Sequence, residues 1–466
     1  MQVVNRRQFF MPTTKWTYIK KEHKNDTKKI MVYDILITNS TIVPLASDMP
    51  ELIEQGYVAI KDGKITAMGP MSELADAREA VKIIDAEGRL VVPGLVNCHT
   101  HAPMTLFRGL ADDLELMTWL HEHIFPAEAK SVNPEMVYWC SKLAAAEMIL
   151  SGTTTVADGY FLEDRVADAF IESGIRSVAA QGVLDFPAPG VPDPSQNVAA
   201  AAEFIERWQG KNSLLTPAVF CHSPYTCSPE TLKNVKEMAR EKKVKLFLHL
   251  SETRAEVEQI EEQHGTTPVP YLENLGILDN DTVCVHCVWL EDEEIKILAR
   301  TGTHVATCPQ SNMKLGSGIA PLKEMLAAGI CVGLGTDSCA SNNRLDMFIE
   351  MDMCAKIHKA KALDPTVLPA QHVLRMATSG GAAILGLGEK IGSLEPGKEA
   401  DLILVDIRQP HLLPFYNPDL LVYGAGGADV SMAIVSGKLV MQDRKILTFD
   451  VDEAMAKVQE LAKALK

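Results

Sequence analysis

The chain has 466 residues, 47% of them hydrophobic, which is enough to bury a large core and exceeds one ordinary domain. Its formal charge of −16 argues against nucleic-acid and anionic-membrane partners, both of which need a positive surface. A small neutral or cationic ligand suits this balance better.

The ten cysteines are scattered through apolar segments rather than spaced as a disulfide framework, so they read as reduced thiols of a cytoplasmic protein. Cys284-Val285-His286-Cys287 matches C-x-x-C, but no second pair follows at zinc-finger distance, and its apolar neighbours read as a buried strand. No apolar run approaches the ~20 residues of a membrane span.

In chain order, residues 1–30 are basic and polar. Asn5-Arg6-Arg7-Gln8-Phe9-Phe10 faintly resembles a twin-arginine export signal, but no apolar segment follows it. The segment reads as a disordered extension, or as the product of a translation start placed upstream of the real one at Met31. Residues 31–92 carry short alternating strands, with Asp62-Gly63 marking a hairpin turn.

Over residues 93–388, helical stretches such as Glu135 to Leu150 and Pro229 to Lys242 alternate with short apolar runs. That alternation is the signature of an α/β fold of the (β/α)₈ type, a TIM-like barrel. Residues 389–466 return to a β pattern and end in a helix, so the two flanking β segments are expected to pair into one small β-sandwich. No internal repeat or low-complexity tract interrupts this plan.

A barrel of this kind gathers its chemistry at the C-terminal strand ends. The run Leu90 to Leu95 leads into Val96-Asn97-Cys98-His99-Thr100-His101, where alternate residues of a strand project together, so His99 and His101 read as half of a site for zinc or a similar divalent ion. His222, His249, His286 and Asp337 end further apolar runs. Several strand ends finishing in His or Asp point jointly to a metal site.

These residues carry a resemblance to the amidohydrolase superfamily. Val92-Pro93-Gly94-Leu95-Val96-Asn97-Cys98-His99-Thr100-His101 is similar to its first-strand motif, Leu248-His249-Leu250-Ser251-Glu252 to its fifth, and Gly335-Thr336-Asp337-Ser338 to its eighth. Within the superfamily the chain resembles the 5-methylthioadenosine/S-adenosylhomocysteine deaminases. That likeness is carried by Arg108-Gly109-Leu110-Ala111-Asp112-Asp113, Trp119-Leu120, Pro126-Ala127-Glu128 and Ser151-Gly152-Thr153-Thr154-Thr155.

The resemblance implies one Zn²⁺ per subunit, held by His99, His101, His249 and Asp337. The bridging lysine of two-metal branches has no counterpart, because the comparable strand reads Ala218-Val219-Phe220-Cys221-His222. It implies hydrolytic deamination of an adenosine-type nucleoside. Glu252 would take a water's proton and pass it to the ring nitrogen, although by spacing alone it is also a first-turn charge for a helix starting near Ala255. Asp337 would bind metal through one oxygen and accept a second proton through the other, while His286 orients the water and stabilises developing charge.

For substrate, Glu128 would clamp the ribose hydroxyls, Trp119 would wall the nucleoside, His222 would bond the purine or its sugar, and Ser341 would meet the purine edge. One departure stands out. The family's arginines after the Gly-Ile-Arg segment are missing from Ser177 to Pro187, where Gln181 offers no charge for an amino-acid carboxylate. Weaker handling of S-adenosylhomocysteine is expected, with 5′-methylthioadenosine, 5′-deoxyadenosine or adenosine preferred.

Guanine deaminases and triazine chlorohydrolases share this architecture and are the alternative enzymes, though they have no use for Glu128. A non-catalytic scaffold is the alternative from another class, and stoichiometric metal would separate it from the enzymes. The superfamily often forms homo-oligomers, which an acidic surface neither supports nor opposes.

Overall fold

The computed structural model describes residues 32–74, 79–114 and 116–465. The expectations for residues 1–30 and for a start at Met31 fall outside them. The first strands are β1 (Tyr33–Ile42), β2 (Ile53–Lys61), β3 (Lys64–Pro70), β4 (Ala80–Asp85) and β5 (Leu90–Pro93). β2 and β3 form a hairpin across Asp62 and Gly63, both at positive φ (51° and 80°), as a two-residue turn of matching twist requires.

The chain then enters a second sheet. Its strands are β6 (Leu95–Thr100), β7 (Thr153–Tyr160), β8 (Arg176–Val183), β9 (Leu215–Cys221), β10 (Leu246–Leu250), β11 (Thr282–His286), β12 (His304–Thr307) and β13 (Val332–Leu334). These eight run parallel in sequential order, with helices between them. β13 returns beside β6, and the Asp337 N–H donates to the His99 carbonyl at 3.0 Å across that seam. Gly335 permits the approach, since a Cβ there would lie 2.8 Å from the His99 nitrogen. The result is a nearly closed (β/α)₈ barrel.

The remaining strands are β14 (Leu402–Val405), β15 (Val430–Val435), β16 (Lys438–Gln442) and β17 (Lys445–Ile446). β14 pairs antiparallel with β5, Leu402 opposite Pro93, and so joins both ends of the chain in one nine-stranded sheet. The apolar run Leu90 to Leu95 is therefore two strands in two sheets. Gly94 makes the crossing, and any side chain there would collide with Thr154, whose Oγ1 would lie 2.0 Å from its Cβ.

Below the polar strand ends, Val96, Ala157, Val178, Ala218, Phe247 and Val283 pack into one core cluster of the barrel. The flanking sheet has its own core, including Ile35, Ile37, Val58, Ile60 and Leu402. Arg176 of β8 pins the two units together. Its Nε and Nη2 donate to Asp401 Oδ2 and Oδ1 at 2.6 and 3.0 Å, and Asp401 Oδ1 also accepts the Ser436 N–H at 2.6 Å.

Removing one partner leaves a buried, unpaired charge, so Arg176→Ala is expected to lower the unfolding free energy by about 3–5 kcal/mol, measured by urea denaturation. All ten cysteines are free, and Cys284 and Cys287 are both buried around β11. Among the described residues no helix is long and apolar enough to cross a membrane.

Candidate active site

His99, His101, His249 and Asp337 converge at the C-terminal end of the barrel. His99 Nε2 lies 3.4 Å from His249 Nε2, and Asp337 Oδ1 lies 3.4 and 3.5 Å from the Nε2 atoms of His99 and His101. A tetrahedral ion with bonds of ~2.0–2.1 Å holds its ligand atoms roughly 3.3–3.4 Å apart, so these donors are already spaced for one divalent metal. His101 donates from Nδ1 to the Gly159 carbonyl at 2.5 Å, which leaves Nε2 free to face the cluster.

Burial depresses the basicity of all three imidazoles, that of His99 to about 4, so they stay neutral with lone pairs available to a metal. No cysteine joins a metal-capable cluster among the described residues.

His286 Nε2 sits on the next strand end, 3.7 Å from Glu252 Oε2, and within the same close group as His99 and Asp337. Burial disfavours its charged form, yet the Glu252 and Asp337 carboxylates outweigh that and raise its pKa, opposite to the other three. Glu252 is itself raised, chiefly by burial and further by Asp337. Ser251, His286 and Asp337 occupy the left-handed backbone region at φ 50°, 71° and 58°. Non-glycine residues there cost free energy, and such strain concentrates at sites that need side chains aimed unusually.

Residues the sequence reading passed over hold this group in place. Asn312 accepts from His286 Nδ1 at 2.9 Å, and Ser311 donates to Asp337 Oδ2 at 2.6 Å. Both lie in the polar stretch Pro309 to Asn312 directly after β12. That position was the available signal, but the strand ends in neither His nor Asp. Glu256, in the first turn of the helix Arg254–His264, accepts the Ser251 and Glu252 N–H groups at 3.0 and 2.8 Å and sets the Glu252 backbone.

A cavity of about 550 Å³ opens from the donor cluster, and Trp119, Glu128, His222, Glu252, His286 and Ser341 all face it. Trp119 begins a π-helical turn, Trp119–Ile124, that leads into the helix Phe125–Ser131 carrying Glu128. Tyr160 donates to Glu128 Oε1 at 2.6 Å, and burial pushes the Glu128 pKa up to about 7. His222 is paired through Nδ1 with Thr226 Oγ1 at 3.0 Å, and burial lowers its pKa to about 3.

Two expectations change on contact with the geometry. Ser341 faces the cavity, but its hydroxyl donates to Asp337 Oδ2 at 2.7 Å, so it supports the carboxylate as well as bordering any ligand. With Ser311 also bonded there, Oδ2 is occupied twice, and Oδ1 is the oxygen that faces the histidines. Gln181 does not reach the cavity: its amide oxygen accepts the Glu163 N–H at 3.2 Å, and Gly182, Val183 and Leu184 form that part of the wall.

The arrangement has recognisable relatives. Residues 90–440 match the model of the amidohydrolase family. A protein of Syntrophobacter fumaroxidans named 5-methylthioadenosine/S-adenosylhomocysteine deaminase is 49% identical over 93% of this chain and 98% of its own length. A 5′-deoxyadenosine deaminase of Methanosarcina mazei is 43% identical over 93% of this chain and 98% of its own. Among solved structures, an adenosine deaminase from Xanthomonas campestris with bound zinc superposes with a TM-score of 0.90 at 36% identity, covering 93% of this chain and 99% of that one. On sequence and fold, and with a cluster of side chains able to hold a metal ion, this chain belongs to the amidohydrolase family, among relatives named 5-methylthioadenosine/S-adenosylhomocysteine deaminase.

Proposed function

We propose that this protein is a zinc-dependent aminohydrolase that converts adenosine-type nucleosides, 5′-methylthioadenosine foremost, to the corresponding inosine compounds and ammonia. The observation that carries the reading is a cavity lined by His101, His249 and Asp337, which with His99 behind them are spaced for a metal, and by the Glu252–His286 pair and a buried Glu128. The named relatives and the zinc-bound structural neighbour support it.

A divalent ion held by His99, His101, His249 and Asp337 would supply Lewis acidity that brings a water's pKa toward neutrality. Glu252 takes the proton of the attacking water and delivers it to the purine ring nitrogen, which makes the neighbouring ring carbon electrophilic. His286, held through Nδ1 by Asn312, presents Nε2 to the attacking oxygen and stabilises the charge on that oxygen as the ring carbon becomes tetrahedral. Asp337, with Oδ1 toward the donor cluster and Oδ2 held by Ser311 and Ser341, takes the attacking oxygen's second proton, which passes to the amino group as that group leaves as ammonia and the ring carbonyl forms.

Glu128, aligned by Tyr160, accepts from the ribose hydroxyls. Trp119 packs against the nucleoside, and His222 and Ser341 border the purine. We place the activity in the cytoplasm, consistent with ten unpaired cysteines.

The test is ammonia release from zinc-loaded protein given 5′-methylthioadenosine, 5′-deoxyadenosine, adenosine, S-adenosylhomocysteine or guanine. Release from the adenosine compounds and none from guanine is the expected result. Release from guanine alone, or no release from any adenosine compound by folded protein holding one equivalent of zinc, would sink the reading.

A further inference from the structure

The cavity changes character along its length. Its polar lining includes His249, Glu252, His286 and Asp337 of the donor cluster, with Glu128 contributed by the helix Phe125–Ser131. The outer wall is built by Leu120, Phe125, Leu184, Phe186, Pro187 and Pro189. Phe125 and Phe186 face each other with ring centroids 6.3 Å apart, and Phe186, 38% exposed, stands at the mouth. Among the described lining residues there is no lysine or arginine, and the carboxylates are Glu128, Glu252 and Asp337.

Cations nearby are engaged or lie outside. Lys314, next to the lining residue Leu315, is held by Asp112 and Asn343 at 2.6 Å each. His121 rests edge-on against Phe125 at 5.4 Å and is exposed to solvent rather than part of the wall.

Phe125 stands three residues before Glu128 on the helix Phe125–Ser131, so the two share one helix face, and a nucleoside whose ribose hydroxyls meet Glu128 has its 5′ carbon, the next substituent of the same sugar, beside Phe125 and its neighbour Phe186. We propose that the apolar wall at Phe125 and Phe186 is the subsite for the 5′ substituent and that it ranks substrates by the uncharged apolar surface they place there. The proposal rests on the deaminase reading and goes beyond it by naming the residues that select.

A carboxylate set against this wall loses its water and gains no partner. A 5′-hydroxyl pays a smaller penalty of the same kind. A methyl or methylthio group is drawn out of water by the wall at no polar cost, and each such group is worth about tenfold or more in discrimination. Longer alkylthio chains can follow the wall outward, because the mouth is open at Phe186.

The experiment is kcat/KM for a series that differs only at the 5′ position: 5′-methylthioadenosine, 5′-butylthioadenosine, 5′-deoxyadenosine, adenosine and S-adenosylhomocysteine. The expected order places both alkylthio compounds first, then 5′-deoxyadenosine, then adenosine, with S-adenosylhomocysteine at least about tenfold below 5′-methylthioadenosine. Phe186→Arg should raise the ratio of S-adenosylhomocysteine to 5′-methylthioadenosine by about tenfold, because a guanidinium then pairs with the carboxylate. Phe125→Ala should lower the ratio of 5′-methylthioadenosine to adenosine.

Wild-type efficiencies for adenosine or S-adenosylhomocysteine equal to that of 5′-methylthioadenosine overturn the subsite and leave the deaminase standing. Absence of ammonia from the whole series overturns the deaminase reading instead. The wild-type ranking decides even if a variant fails to fold.

Discussion

Glu252→Gln lowers kcat/KM for 5′-methylthioadenosine by about 10²–10⁴-fold, the range a positioned general acid–base contributes. Glutamine keeps the shape of the side chain and its place 3.7 Å from His286 Nε2, but it cannot carry a proton from water to the ring. Metal content stays at the wild-type level, because Glu252 belongs to neither group of metal-spaced donors.

The stability effect has the opposite sign. Burial raises the Glu252 pKa above the ordinary glutamate value, so the native state binds the proton more tightly than the unfolded chain, and ionising the carboxyl costs stability as pH rises. The variant, which has no carboxylate to bury, should melt at the same or a higher temperature. Wild-type activity needs the carboxylate and is lost as pH falls through that raised pKa, so its acid limb lies above the ordinary glutamate range and should vanish from the variant's residual activity. A variant with near-wild-type turnover would remove Glu252 from the chemistry.

Chelation abolishes activity, and one equivalent of zinc per chain restores it. The loss should exceed about 10³-fold, since Glu252 alone does not bring a water's pKa toward neutrality as a bound divalent ion does. The melting temperature should fall with it. A site saturated to about a thousand times its dissociation constant contributes ~4 kcal/mol to the native state, and removing the ion forfeits that contribution. Calorimetry with and without chelator reads the shift, and elemental analysis reads the stoichiometry. Full turnover in chelator-treated, metal-free protein would refute the metal site.

Much of the site was legible because its groups announce themselves by type and position. Histidines and an aspartate that end apolar strands are costly to bury, and a barrel brings all such ends to one rim. His99, His101, His249, His286 and Asp337 were found in this way, and the structure gathers them within a few ångströms. Ser311, Asn312 and Glu256 were passed over because their work is second-hand. They hold Asp337, His286 and the Glu252 backbone through hydrogen bonds between segments far apart or offset by a turn, and serines and asparagines after a strand have no distinctive spacing. Gln181 stands in the sequence where a ligand contact is expected, yet its amide oxygen accepts the Glu163 N–H, a choice that depends on which way one strand faces.

Local sequence determined what local physics can encode. The alternation of apolar runs and helical stretches set the barrel, the Asp62-Gly63 turn set a hairpin twist, and the spacing of His99 and His101 put two imidazoles on one side of a strand end. Tertiary structure decided the rest. It divided the continuous run Leu90 to Leu95 between two sheets at Gly94, because only a residue without a side chain can pass Thr154. It spent Asp337 Oδ2 on two serines, and it placed Phe186 opposite Phe125 at the mouth although 61 positions separate them in the chain. Periodicity reports which face of an element is buried; which distant residue fills the space beyond that face is settled only when the elements pack.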